Sequence, residues 1–444
     1  MQSTARLRAR RLPSFAVLVL ALTTSCSHSL PTALAPERDA SGVTSGGGGG
    51  DGRGGSHKLE DEVVVVLVAG ADPAAVAATH HATLLEYEAA ERSASYLPGT
   101  SQTPDELLSA LSADARVLTA ETNFWLENAE ARQQSFAFDD GSGTPDAYAE
   151  QPAAAAIHLA QAHEIADGTG VIVAILDSGI DPRHPLLRHA YAGGIDLVDG
   201  DNDPTDSRDF LDNDGDGRVD ETYGHGTHVA GIIHLVAPEA RLLAVRVLDA
   251  DGRGSLFDVA NGVIWAMDHG AKVINLSLGS LKSSDALQNA LSEAECRGII
   301  VISSAGNWGA STPVEFPARS SHVAAIAAVD ASAVPATFSS YGNNIALSAP
   351  GVGVRSTYPG GSYRLWSGTS MAAPFVAGAC ALLAEHHPDW SLVEAMTRLA
   401  ETARPVTGAE GQFGAGALDA GAALERDRNL ISPVTGIQET VRPR

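Results

Sequence analysis

Between Tyr148 and Leu424 short runs of apolar residues alternate with longer segments in which apolar and polar positions recur at helical spacing. Val171 to Leu176, Leu242 to Val247, Val273 to Leu276, Ile299 to Ser303 and Val323 to Val329 read as strands. Their apolar runs are unbroken, as expected of strands buried on both faces. Helices are predicted at His225 to Leu235, Leu256 to His269, Ser284 to Cys296, and after Ser370 as far as about His386. Apolar strands separated by amphipathic helices predict an α/β domain with a doubly wound parallel sheet. Function in such sheets gathers at the carboxyl ends of the strands.

A smaller pattern precedes it. From Leu59 to Leu126 the order is strand (Val63 to Val68), helix (Pro73 to His80), two strands (Thr83 to Glu88, Ser93 to Leu97), helix (Pro104 to Leu111) and strand (Ala115 to Thr119). Pro73 and Pro104 sit where the first turn of a helix tolerates proline. This β-α-β-β-α-β order predicts a small ferredoxin-like α+β domain at 59–126. A polar stretch from Glu127 to Glu150 follows, read as an exposed linker over 127–147 before the large domain at 148–424, and the tail 425–444 is expected to be disordered.

The N-terminus reads as an export signal over 1–26, with Arg6, Arg8, Arg10 and Arg11 ahead of the apolar run Phe15 to Leu22. That run is too short to span a membrane comfortably. It ends in Thr23-Thr24-Ser25-Cys26, a degenerate lipoprotein box, so both secretion and a lipid anchor at Cys26 stay open. Residues 27–58, with the run Gly46 to Gly50, are expected to be a flexible tether.

Composition narrows the function. At 444 residues the chain is long enough for two or three folded units. Lys and Arg number 29 against 54 Asp and Glu, a net charge of −25, which argues against nucleic acid and against an anionic membrane surface as partners. Three cysteines are too few for a disulfide scaffold. Cys296 and Cys380 fall in predicted helices, where buried free thiols are the expected state and a bridge stays open.

Three segments at element boundaries carry candidate chemistry. Asp177-Ser178-Gly179-Ile180-Asp181 closes a strand, Gly224-His225-Gly226-Thr227-His228 opens a helix, and Gly368-Thr369-Ser370-Met371-Ala372-Ala373-Pro374 opens another. Ser370 therefore sits at a helix N-terminus, where free N–H groups favour a developing anion. A hydroxyl, an imidazole and a carboxylate are what nucleophilic acyl transfer needs. Ser303-Ser304-Ala305-Gly306-Asn307 follows another strand and offers a side-chain amide to an oxyanion.

These segments, in the order Asp177, His225, Ser370, resemble those of the subtilisin-like serine proteases, the subtilases, whose order differs from that of chymotrypsin and the α/β-hydrolases. The resemblance extends over Tyr148 to Leu424 and includes Val273 to Gly279, Phe338 to Gly342, Ala349-Pro350-Gly351 and Gly414 to Ala420. It implies a subtilisin-like fold and an exported endopeptidase acting on polypeptides, with Ser370 as nucleophile, His225 as general base and then acid, and Asp177 as its orienter. Asn307 and the Ser370 N–H would form the oxyanion hole. It further implies that Ser277, Leu278 and Gly279 pair with the substrate backbone, that Gly254 and Ser255 form the opposite wall, and that Ser304, Ala305 and Gly306 line the cleft. His228 matches a structural histidine of the family. The segment 59–126 resembles the family's inhibitor-like propeptide, its closing residues Ala120 to Leu126 matching the last propeptide strand, so self-cleavage is expected between Glu127 and Glu150. A monomer is expected. The competing class is a non-catalytic relative using the cleft to bind peptides.

Finally, Asp212-Asn213-Asp214-Gly215-Asp216-Gly217 presents alternate carboxylates as calcium loops do, with Asp220 and Glu221 available to complete the set. Calcium is the expected structural cofactor, with no organic cofactor. The chain passes from Gly231-Ile232-Ile233 directly to His234-Leu235-Val236-Ala237-Pro238, without the longer loop that binds calcium in several subtilases, so that family site is not carried over.

Overall fold

The computed structural model describes residues 59–431 except 90, 91, 131–134, 312, 313 and 410. The expected signal with Cys26, the Gly-rich tether and residues 432–444 lie outside the described residues.

The N-terminal layer is a four-stranded antiparallel sheet, β1 (Val63–Leu67), β2 (Thr83–Glu88), β3 (Ser93–Leu97) and β4 (Val117–Thr122), in the order β2-β3-β1-β4. It carries α1 (Pro73–His80) and α2 (Pro104–Ser112). Each helix starts at a side-chain cap followed by proline: Asp72 accepts from the Ala74 amide, and Thr103 and Glu106 form a reciprocal capping box. Val63, Val65, Leu67, Val76, Tyr96, Leu107 and Leu111 fill the layer's own core. The chain then forms a short strand, β5 (Trp125–Glu127).

The large domain holds β6 (Ile172–Asp177), β7 (Tyr191–Asp196), α3 (His225–Val236), β8 (Arg241–Arg246), β9 (Arg253–Ser255), α4 (Leu256–Asp268), β10 (Val273–Leu276) and α5 (Asp285–Cys296). It continues with β11 (Ile300–Ser304), β12 (Ala324–Val329), β13 (Ile345–Pro350), β14 (Val354–Tyr358), β15 (Ser362–Trp366), α6 (Thr369–His386), α7 (Leu392–Thr402) and α8 (Ala420–Ile431). Seven strands form one parallel sheet in the order β13-β12-β11-β10-β6-β8-β7. Residues of α3 and α6 bury one face with Val173, Ile175, Ile300 and Ile302, while α4 and α5 cover the other with Leu176, Val245, Ile274 and Val301. The first strand, β6, lies inside the sheet with later strands on either side. The carboxyl end of β6 is therefore where a crevice opens.

Two sheet strands escaped the apolar pattern. β7 reads Tyr-Ala-Gly-Gly-Ile-Asp, a half-buried edge, and a Cβ on Gly194 would collide with the Ala244 carbonyl of β8. β13 contains the buried Ser348 and ends in Pro350, which an edge strand tolerates. Helix α8 runs through Ile431, so the segment after Leu424 begins as helix rather than as a disordered tail. Cys296 and Cys380 are not bridged to each other; Cys380 is buried, but Cys296 is exposed. Among the described residues no helix is long and apolar enough to cross a membrane.

The small layer packs on α4 and α5. Val64 and Val66 meet Phe257 and Ala286, and Ser93 Oγ donates to Asn261 Oδ1 at 2.7 Å. The Glu121 carboxylate receives Ser284 Oγ at 2.8 Å and the Ala286 amide at 2.7 Å, so an acidic group stands at the N-terminus of α5.

Candidate active site

Asp177 ends β6 and is buried at the sheet's crevice. His225 opens α3, and its Nδ1–H donates to Asp177 Oδ1 at 2.7 Å. The contact depends on a glycine. A Cβ on Gly226 would collide with the Gly179 carbonyl and stand 3.1 Å from Asp177 Cβ, so only glycine lets the first turn of α3 approach the end of β6. The N-terminus of α3 is held by Asp206, whose carboxylate accepts from the Gly224 amide at 3.0 Å, the Thr227 amide at 3.1 Å and Thr227 Oγ1 at 2.7 Å. Burial pushes the Asp206 carboxyl up to about 7, with the Asp177 charge adding to it and these three hydrogen bonds opposing it. Sequence reasoning missed Asp206, because it is one of many acids between Asp199 and Glu221.

Ser370 lies in the first turn of α6. Asn307 follows β11, and its Oδ1 accepts from the Thr369 amide and hydroxyl, both at 2.9 Å, which aims Nδ2 toward Ser370. Ser277 Oγ donates to the Ser370 carbonyl at 3.2 Å, tying the segment after β10 to the same turn. His228 is buried one helical turn on, with Nε2 3.2 Å from the Arg364 carbonyl, and burial pushes its pKa down to about 3. Ser304 and Ala305 are buried beside the crevice. Glu315 is buried where a Cβ on Gly279 or Gly306 would meet its side chain, and it accepts from Trp308 Nε1 at 2.7 Å.

Two walls flank the crevice, and a segment of the chain itself lies between them. β5 pairs antiparallel with β9, Trp125 opposite Ser255, Leu126 opposite Gly254 and Glu127 opposite Arg253. On its other edge the Glu127 amide donates to the Gly279 carbonyl at 3.0 Å, and the Gly279 amide to the Glu127 carbonyl at 2.8 Å. The Asn128 amide continues the ladder to the Gly252 carbonyl at 3.0 Å, and Leu278 is buried below.

Of the exposed linker expected over 127–147, the residues directly after Glu127 are buried, whereas most of 138–146 is exposed. Asn128, Ala129 and Glu130 are buried, and Ala129 and Glu130 turn helically out of the extended path. Farther on, Ser135 Oγ donates to the Ser367 carbonyl at 2.8 Å, Phe138 pairs with Leu365, and Asp140 meets Arg355 at 2.6 Å. The reason is charge and strand complementarity: the acids of this stretch find Arg355 and Arg364, and its backbone finds the free edge of β15.

Glu130 reaches the centre of the site. Its Oε1 accepts from Asn307 Nδ2 at 2.9 Å and from the Ser370 amide at 3.4 Å, while Oε2 accepts from Ser370 Oγ at 2.5 Å. His225 Nε2 stands 3.4 Å from Oε2. Burial alone would disfavour charge on either group. For His225 the Asp177 charge and hydrogen bond, and then the nearby Glu130 carboxylate, outweigh burial and push its pKa from 6.5 up to about 10. For Glu130 the nearby His225 cation, with the hydrogen bonds of Ser370 and Asn307, outweighs burial and holds its carboxyl below the usual range. No pattern in the sequence marked Glu130.

The acidic loop forms a second cluster. Ligand oxygens of Asp212, Asp214 and Asp216 lie within 4.8 Å of one another. Both Glu221 oxygens are buried without a hydrogen-bond partner, and burial, followed by the charges of Asp216, Asp214 and Asp251, pushes its carboxyl up to about 7. Such a donor set fits a hard divalent cation. Asp220 lies outside the cluster of three; its Oδ1 accepts from the Asp209 and Phe210 amides and so braces the loop, while its buried Oδ2 faces Arg208 at 3.8 Å.

The family model described as the subtilase family matches residues 168–416. The chain belongs to the subtilase family. It is 42% identical over 265 residues to subtilisin BL of Lederbergia lenta, covering 58% of this chain and 91% of that protein. Thermitase of Thermoactinomyces vulgaris is 38% identical over 279 residues, covering 61% of this chain and 94% of thermitase. Among solved structures, fervidolysin from Fervidobacterium pennivorans, a keratinolytic enzyme related to subtilisin, covers 82% of this chain and 61% of its own, with a TM-score of 0.67 at 25% identity. This subtilase therefore has the subtilisin-like α/β fold and is a serine-type endopeptidase acting on polypeptides.

The position of His225 between two carboxylates has a measurable consequence. Because its pKa is raised, its contribution to stability is complete below about pH 6.5 and is lost as the pH climbs through about 10. In the uncleaved chain carrying Ser370→Ala, the imidazole should remain protonated on both nitrogens across neutral pH by NMR. Deprotonation near pH 6.5 would contradict this geometry.

Proposed function

We propose that this subtilase is exported and is made as a self-processing zymogen, with residues 59–126 as an inhibitor-like propeptide and the large domain as the protease. One observation carries the reading: β5 sits between the two cleft walls as a substrate strand would, and the chain passes Ser370 before continuing into the protease domain. The fervidolysin match supports it, since it covers 82% of this chain, more than the subtilase domain alone. The N-terminal basic and apolar segments support export, with secretion or a lipid anchor at Cys26 as the two end states. The protease would act as a monomer, with its own propeptide as a partner in cis.

In this mechanism Ser370 Oγ attacks the carbonyl carbon of a peptide bond seated along Ser277–Gly279 and Gly254–Ser255, and its proton passes to His225 Nε2. Asp177 fixes the imidazole through Nδ1 and stabilises the cation that forms. Asn307 Nδ2 and the Ser370 N–H hold the negative oxygen. The C–N bond then breaks, the amine leaves with the proton from His225, and water cleaves the acyl ester by the same path. In the uncleaved chain Glu130 occupies the donors that this oxygen needs, so turnover requires that its carboxylate leave.

Intact mass of the purified chain tests this. The wild type should lose a fragment ending between Glu127 and Glu150, while Ser370→Ala stays whole. Equal uncut masses would overturn self-processing.

Calcium in the acidic loop is the second part of the proposal. Asp212, Asp214, Asp216 and Glu221 would hold the ion, offsetting the burial and relieving the repulsion that together raise Glu221. Asp251, whose carboxylate receives the Asn213 and Glu221 amides, and Arg253, which donates to the Asn213 carbonyl, join this loop to the cleft wall. With calcium at a hundredfold excess over its dissociation constant, binding adds about 2.7 kcal/mol to stability. Chelation should lower the melting temperature and re-added calcium should restore it. A melt indifferent to both would contradict the site.

A further inference from the structure

Four polar groups converge on one buried carboxylate that the hydrolytic mechanism does not use. Asn307 Nδ2 and the Ser370 amide point at Glu130 Oε1, while Ser370 Oγ and His225 Nε2 face Oε2. Glu130 is wholly buried, and a Cβ on Gly368 would collide with its carboxylate, so glycine at 368 leaves the space it fills.

The path of the chain explains why a side chain, and not a peptide bond, occupies this place. Glu127 and Asn128 keep the extended register against Gly279 and Gly252. Ala129 and Glu130 then turn helically, which draws the backbone away from that register and sends the Glu130 side chain into the centre. An ionised side-chain carboxylate there has no leaving group and resists attack by a hydroxyl. It also takes the hydrogen bond of Ser370 Oγ, so the hydroxyl proton is directed at Oε2 and not at His225.

We propose that Glu130 is an internal inhibitor of the uncleaved chain, its carboxylate taking the place of the reacting carbonyl oxygen and keeping the linker's peptide bonds away from Ser370 Oγ. The proposal rests on the zymogen reading for its role and adds to it a single residue that sets how fast self-cleavage begins. Two features of glutamate are needed. Its length lets a backbone that has left the extended path still reach Asn307, and its charge rewards the four donors that converge on it.

The test uses the full chain in three forms, wild type, Glu130→Gln and Glu130→Ala, refolded by dilution and shown to melt cooperatively. Two rates are read: self-cleavage by intact mass, and covalent labelling of Ser370 in still-uncleaved chain by a small fluorophosphonate. Both variants should label about tenfold to a hundredfold faster than wild type, the range expected when a hydrogen-bonded charge is lost from a site, and should self-cleave correspondingly faster. Labelling of both variants at or below the wild-type rate would overturn the proposal. The labelling rate decides the matter even if no form cuts itself: faster labelling without any cleavage would keep Glu130 as inhibitor while the zymogen reading falls.

Discussion

A carboxylate and an imidazole held 2.7 Å apart and wholly out of water set the terms for the rest of this molecule. Neither group is cheap to bury, and an unpaired charge in such a place would cost several kcal/mol. The pairing is made possible by backbone, not by side chains. Asp177 is delivered by the end of an interior strand of the parallel sheet, and His225 by a helix whose second residue must be glycine to clear the Gly179 carbonyl. Asp206 then satisfies the amides at the start of that helix, so the imidazole is fixed from both ends.

The same electrostatics explain how the small domain and the large one fit together. Glu121 at the start of α5 and the apolar contact of Val64 and Val66 with Phe257 dock the small sheet, and β5 follows directly into the cleft. From there the chain passes Ser370, where the positive end of α6, Asn307 and His225 all favour an anion. Glu130 supplies one. The acidic loop, tied through Asp251 and Arg253 to β9, places a concentration of negative charge beside β5.

Much of this was legible in the sequence because it rests on local patterns. The helices capped by Asp72 and Thr103 announce themselves through Pro73 and Pro104, and Asp177, His225 and Ser370 lie in glycine-bearing turns at element ends. What was not legible depends on contacts between distant segments. β7 and β13 are strands because neighbouring strands pair with them, not because they are apolar. Asp206 is indistinguishable in sequence from the acids around it. Glu130 sits in a polar stretch that reads as linker, and its burial follows only once β5 is threaded between β9 and Gly279, a pairing between segments more than a hundred residues apart. Asp220 shows the converse, an acid in the right stretch with one carboxylate oxygen taken by backbone amides and the other facing Arg208.

The central claim is that the Asp177–His225 pairing orients the base that activates Ser370. Its most direct test is hydrolysis of a peptide substrate by processed enzyme, comparing wild type with Asp177→Asn. The account predicts that the turnover number falls by about 10⁴-fold, as when the orienting aspartate of a serine protease is made neutral, while the fold and KM are retained. A variant within about tenfold of wild type, less than a single general base contributes, would contradict it.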